Sequence, residues 1–68
     1  MGMCTADQVG QFIGQPATGE LGADIQRATG AKVFRWLPRG TVVTMEYRGD
    51  RANAFLDEQN EVERITCS

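Results

Sequence analysis

Two cysteines, Cys4 and Cys67, stand near opposite ends of a chain of 68 residues, and no other feature limits the fold as much. A chain this short hides only about 60% of the surface its unfolded form exposes, so its core is small and a staple is expected. Two cysteines permit one intramolecular pairing. A Cys4–Cys67 bridge would close nearly the whole chain into a ring and restrict the unfolded state by roughly 4 kcal/mol in the chain-entropy model. It would also hold two termini that otherwise fray. A disulfide belongs to an oxidising compartment, and the alternative, two free thiols, belongs to a reducing one. The disulfide reading implies a secreted or periplasmic protein. Met1-Gly2-Met3 then reads as an added start before a mature domain whose secretion signal has been removed. Ala6 stands where N-myristoylation needs Ser or Thr.

The length is that of one domain, residues 1–68, without repeats, linker or low-complexity stretch. The net charge is −2 with both signs mixed along the chain, so no basic patch points to nucleic acid. No apolar run reaches membrane length. Histidine is absent and Ser68 is the only serine, which leaves the usual nucleophile–base arrangements without a base. Two distant cysteines make no zinc site, and the scattered glycines form no phosphate loop. An enzyme is not expected, nor a cofactor.

Thr5-Ala6-Asp7-Gln8 resembles a capping box, predicting a short helix over residues 6–12 or 6–13 with Val9, Phe12 and Ile13 on one face. Gly14-Gln15-Pro16 breaks it. The main helix is predicted over residues 18–29. Thr18 caps it, Glu20 sits in the first turn, and Gly30 is suited to end it left-handed. Leu21, Ile25 and Ala28 form its apolar stripe. Gly22 costs helix stability but permits close approach of a neighbour.

Residues 32–37 read as a strand with Phe34 and Trp36 on the face under the helix and Val33, Arg35 and Leu37 on the other. Trp36 is in phase with Phe34, which favours a core role over a binding platform. Residues 51–57 read as a second strand whose small face, Ala52 and Ala54, makes room for Phe34 and Trp36. Asp57-Glu58-Gln59-Asn60 is a polar turn, and residues 61–66 form a third strand. Val62 and Ile65 are out of phase for a regular strand, so an irregularity is expected between them. The short turn makes the last two strands antiparallel, and the long connection allows the first two to be parallel. The fold class is α+β: one main helix on a small three-stranded mixed sheet.

Between the first two strands, Thr41-Val42-Val43-Thr44-Met45-Glu46-Tyr47-Arg48-Gly49-Asp50-Arg51 mixes β-formers with charges and a methionine that no periodicity explains. It reads as a long exposed loop held at both ends by strands. The alternative for Met45 is an ordinary core residue. Arg48-Gly49-Asp50 also spells an integrin-binding tripeptide, a triplet that commonly occurs by chance.

The run from Leu37-Pro38-Arg39-Gly40 through Thr44-Met45-Glu46-Tyr47-Arg48 to Arg51, followed by Phe55-Leu56-Asp57 and Asn60, resembles the potato type I serine protease inhibitors over about the last two thirds of the chain. Phe12-Ile13-Gly14-Gln15-Pro16, with Cys4 and Cys67, is more similar to a small single-disulfide microbial branch typified by fungal elastase inhibitors. The resemblance implies a wedge-shaped reactive-site loop of Val42, Val43, Thr44, Met45, Glu46, Tyr47 and Arg48. It further implies a serine endopeptidase as partner of a monomer, in a one-to-one complex. Met45 would enter the primary specificity pocket of a subtilisin-, chymotrypsin- or elastase-like enzyme, with Met45–Glu46 as scissile bond. Arg51 would support the loop from below. Asn53 stands where the plant inhibitors carry a second arginine, and it brings fewer donors and no charge. The competing expectation is a binding or structural domain that keeps this fold without inhibiting.

Overall fold

Thr18 starts the main helix, α1 (Gly19–Thr29), by accepting the Leu21 amide on its hydroxyl at 3.1 Å, and Gly30 ends it at φ +72°. The computed structural model describes residues 4–41 and 48–67. After α1 come β1 (Val33–Leu37), β2 (Arg51–Leu56) and β3 (Val62–Cys67), which form one sheet in the order β1-β2-β3. β1 and β2 pair in parallel, and β2 and β3 pair antiparallel. This is the expected α+β arrangement, with strand ends shifted by one residue at most.

Alternation decides which face meets the helix. Phe34 and Trp36 pack edge-to-face with ring centroids 4.8 Å apart. They lie directly on Gly22, where an added Cβ would come within 3.2 Å of Phe34 and 3.3 Å of Trp36. Beside them Ala52 and Ala54 are fully buried. The small residues of β2 and the missing side chain of Gly22 thus accommodate two large rings. Leu21, Ile25, Leu56, Val62, Ile65 and Phe12 complete the main apolar cluster. Ala28 does not join it. Ala28 is exposed and Thr29, four residues after Ile25 and on the same face, is buried instead; its hydroxyl is satisfied there by donating to the Ile25 carbonyl at 2.8 Å.

The irregularity expected in the third strand is a β-bulge. Phe55 faces Arg64 while the next residue, Leu56, faces Val62, so Glu63 is the extra residue and the side-chain parity of β3 reverses across it. Val62 and Ile65 therefore both turn inward. In the preceding turn, Asp57 Oδ1 accepts the Gln59 amide at 2.9 Å and the Glu61 amide at 3.0 Å, and Asn60 takes φ +60°. Loss of a carboxylate that caps two amides costs about 1–2 kcal/mol. Asp57→Ala is expected to lower the urea midpoint accordingly without altering the denaturant slope.

The N-terminal segment departs from expectation. No helix begins at Thr5; only a single 3-10 turn forms, at Gly10–Phe12, without a side-chain cap. Cys4 and Thr5 instead donate their amides to the carbonyls of Gly49 at 2.7 Å and Thr29 at 2.9 Å. A two-turn helix interrupted by Gly10 repays its nucleation poorly, and these long-range bonds displace it. Ile13, expected on the apolar face with Val9 and Phe12, is 45% exposed. The segment continues beside β3, with Gly14 N–H on the Val62 carbonyl at 2.8 Å and Val62 N–H on the Gln15 carbonyl at 2.9 Å. Cys4 and Cys67 form the disulfide, their Cα atoms 5.6 Å apart.

Candidate functional site

The connection from Leu37 to Arg51 leaves one end of β1 and must return to the other, because β2 runs parallel to β1 and Arg51 pairs with Val33. Both described ends of this connection are tied down. At the first, Thr41 N–H donates to the Pro38 carbonyl at 3.0 Å, and Gly40 sits at φ +87°. Exposed Arg39 there pairs with Glu58 at 3.1 Å. At the second, Arg51 N–H closes a turn on the Arg48 carbonyl at 3.4 Å. The Asp50 carbonyl accepts the amides of Lys32 at 2.8 Å and Val33 at 3.1 Å. The Cys4 amide on Gly49 joins this end directly to the disulfide-bearing segment. Val42, Val43, Thr44, Met45, Glu46 and Tyr47 lie outside the described residues.

Within the second turn the Arg48 guanidinium grips Asp50 with two bonds, Nε to Oδ1 at 3.0 Å and Nη2 to Oδ2 at 3.1 Å. The charges of the Arg48-Gly49-Asp50 triplet thus face each other, which disfavours an adhesive role that needs them presented apart. The hydrogen bond from Arg48 holds the Asp50 carboxyl below its ordinary value of 3.8. A carboxyl with a lowered folded pKa stabilises the fold fully above its unfolded value. That contribution is lost as acid carries the pH down through the folded value. The Asp50 side-chain carbon followed by NMR is expected to titrate with a midpoint below 3.8, and to move upward in Arg48→Ala.

β2 presents its other face away from the helix, and there the polar residues are buried. Arg51 is 6% exposed and Asn53 is 1% exposed. Neither is without a partner. Asn53 lies in register with Arg35 on β1 and Thr66 on β3. Arg35 Nε donates to Asn53 Oδ1 at 2.7 Å, and Asn53 Nδ2 donates to Thr66 Oγ1 at 3.4 Å. Sequence reasoning placed Arg51 and Asn53 at the site but missed Arg35 and Thr66. Their signal was available only through the strand register, which brings positions 18 and 13 residues from Asn53 to its two sides. Further along this face Arg64 lies over the Phe55 ring, 4.1 Å from its centroid.

Among the described residues no group of histidine, cysteine, aspartate and glutamate could hold a metal ion, and no helix is long and apolar enough to cross a membrane. The described arrangement is two buried polar side chains, Arg51 and Asn53, on the strand that follows a connection tethered at both described ends, one of them bonded to the disulfide-bearing segment. A search of curated proteins finds no match. Among solved structures, that titled "Structure of elastase inhibitor AFUEI (crystal form II)" is similar at 33% identity and a TM-score of 0.73, over 93% of this chain and 88% of that one. The likeness extends to the whole helix-on-sheet frame and supports a non-enzymatic, inhibitory role with a peptidase as partner. The family model described as peptidase inhibitor I78 matches residues 4–68, and the chain belongs to that family.

Proposed function

We propose that residues 1–68 form a single inhibitor domain for serine endopeptidases and act through a substrate-like loop of residues 42–48. In this reading Met45 fills the primary specificity pocket, Met45–Glu46 is the scissile bond, and Val42 occupies an apolar site upstream. Arg51 holds Thr44 and Glu46 by charge-assisted hydrogen bonds, with Asn53 beside it. A loop already held in the bound shape has lost its conformational entropy, so association is tight. If the cut ends cannot part, the new amine stays poised to re-form the bond. Kinship with the potato type I inhibitors belongs to this same reading.

The observation that carries it is the burial of Arg51, at 6% exposure, at the first position of β2, directly where the connection ends. A buried guanidinium in that position suits a role of holding chain rather than meeting solvent. The elastase inhibitor of similar fold brings elastase-like enzymes into the target class. The disulfide favours an oxidising location, secreted or periplasmic. One loop per chain implies a monomer in a one-to-one complex.

Titration of subtilisin, chymotrypsin and elastase with the purified protein tests the proposal. It expects stoichiometric loss of activity of at least one enzyme, with slow or absent cleavage at Met45–Glu46. Rapid cleavage there without lasting inhibition would favour the non-inhibitory domain instead.

A further inference from the structure

We infer that Arg35 is a positioning residue for the inhibitory loop, acting through Asn53; the inference rests on the loop reading above. Asn53 is the most enclosed polar side chain of the sheet face opposite the helix, at 1% exposure. A primary amide has two different ends, one accepting and one donating, and in a buried site only its partners decide which way it points. Arg35 Nε, which can only donate, meets Asn53 at 2.7 Å and so assigns Oδ1 to the β1 side. The amide nitrogen is thereby directed towards β3, where Thr66 Oγ1 lies at 3.4 Å, a long and weak contact. Of these two bonds the charged one is the stronger, so Arg35 fixes which end of the amide faces β1 and Thr66 tolerates it.

Arg35 also brings a positive charge to the same sheet face as Arg51, two rungs along. It does so from the neighbouring strand, since Val33 pairs with Arg51 and Arg35 with Asn53. Asn53 lacks that charge, and the row restores it one strand away. Without Arg35 the amide would lose the charged donor that meets Oδ1 from the β1 side. A flipped or wandering amide would then reach whatever Asn53 supports with the wrong end.

The test compares wild type with Arg35→Ala, Arg35→Lys, Asn53→Ala and Arg35→Ala/Asn53→Ala against whichever panel enzyme wild type inhibits. It reads the inhibition constant and the rate of cleavage at Met45–Glu46. Asp57→Ala serves as a control destabilised at the far turn. Loss of one charge-assisted bond predicts a rise of about tenfold to a hundredfold in the inhibition constant of Arg35→Ala, with faster cleavage. Arg35→Lys keeps the charge without the planar fork and should recover only part of the effect. The double variant should be no worse than Asn53→Ala alone, because both changes remove the same interaction. The inference is overturned if Arg35→Ala keeps both affinity and resistance, if the two effects simply add, or if Asp57→Ala at equal loss of melting temperature does the same. A wild type that inhibits none of the enzymes overturns the loop reading and this inference together, whereas an active wild type with an indifferent Arg35→Ala overturns this inference alone.

Discussion

Replacement of both cysteines, Cys4→Ser with Cys67→Ser, is expected to remove about 4 kcal/mol of stability. The bridge spans a sequence separation of 63, and the entropy of the unfolded chain rises with the logarithm of the loop it no longer closes. A domain of this size holds roughly 3–10 kcal/mol in total, so the variant should be marginal at 25 °C and largely unfolded at slightly higher temperature. Local structure strengthens the expectation. The Cys4 amide is bonded to Gly49 and the Thr5 amide to Thr29, so release of the N-terminus also loosens the end of the connection before β2. Ala31 and Ala52 would lose the cover of Cys4 and Cys67 in their small cluster. Urea unfolding of wild type with and without reductant gives the measurement. A reduced form within about 1 kcal/mol of the oxidised one would show that the hydrophobic cluster suffices by itself, against the entropy argument. Inhibition should fall in parallel with the folded fraction.

How much of this could be read in the sequence depends on the range of each interaction. Thr18 and Gly30 bound the helix through bonds made within one turn, and both ends fell as expected. Strand parity is equally local: Phe34 with Trp36, and Ala52 with Ala54, reveal their shared face by alternation alone. The conflict between Val62 and Ile65 signalled the bulge, although Glu63 as its extra residue emerges only from the pairing with Phe55 and Leu56. Local signals failed where distant bonds compete with them. The capping pattern at Thr5 is sound by itself, but the Thr5 amide is taken by Thr29. Thr29 takes the place expected of Ala28 on the buried stripe, where its hydroxyl finds a partner within its own helix. In the candidate site, Arg51 and Asn53 were identified by resemblance, whereas Arg35 and Thr66 required knowledge of which residues stand side by side across three strands. The loop itself, residues 42–47, rests on sequence pattern and resemblance together with the tethered ends around it.

Arg51→Ala should convert the protein from inhibitor towards substrate, with inhibition weakened about a hundredfold or more. Its guanidinium is buried and engaged, and each charge-assisted bond lost in such a setting costs about 1.5–3 kcal/mol. If Arg51 makes the two bonds to Thr44 and Glu46 that the proposal assigns to it, their loss corresponds to at least a hundredfold in affinity. The position of Arg51 separates this effect from general destabilisation. It opens β2 at the rung shared with Val33, while the helix packs on the opposite face, Leu21 and Ile25 with Ala54, and Gly22 against Phe34 and Trp36. The core should therefore survive, and the amide dispersion of α1 and β3 should remain close to wild type in NMR spectra. What changes is the fate of the loop. Under the proposed loop mechanism, removal of the support should let the ends formed by cleavage at Met45–Glu46 separate, so that the amine no longer returns and hydrolysis runs to completion. Arg51→Lys restores charge without the fork and should fall between the two, because two acceptors cannot be held in one plane by a single ammonium group. An Arg51→Ala variant that remained folded, bound as tightly as wild type and resisted cleavage would place the rigidity of the loop elsewhere, in the Arg48–Asp50 clasp or the disulfide-linked N-terminus.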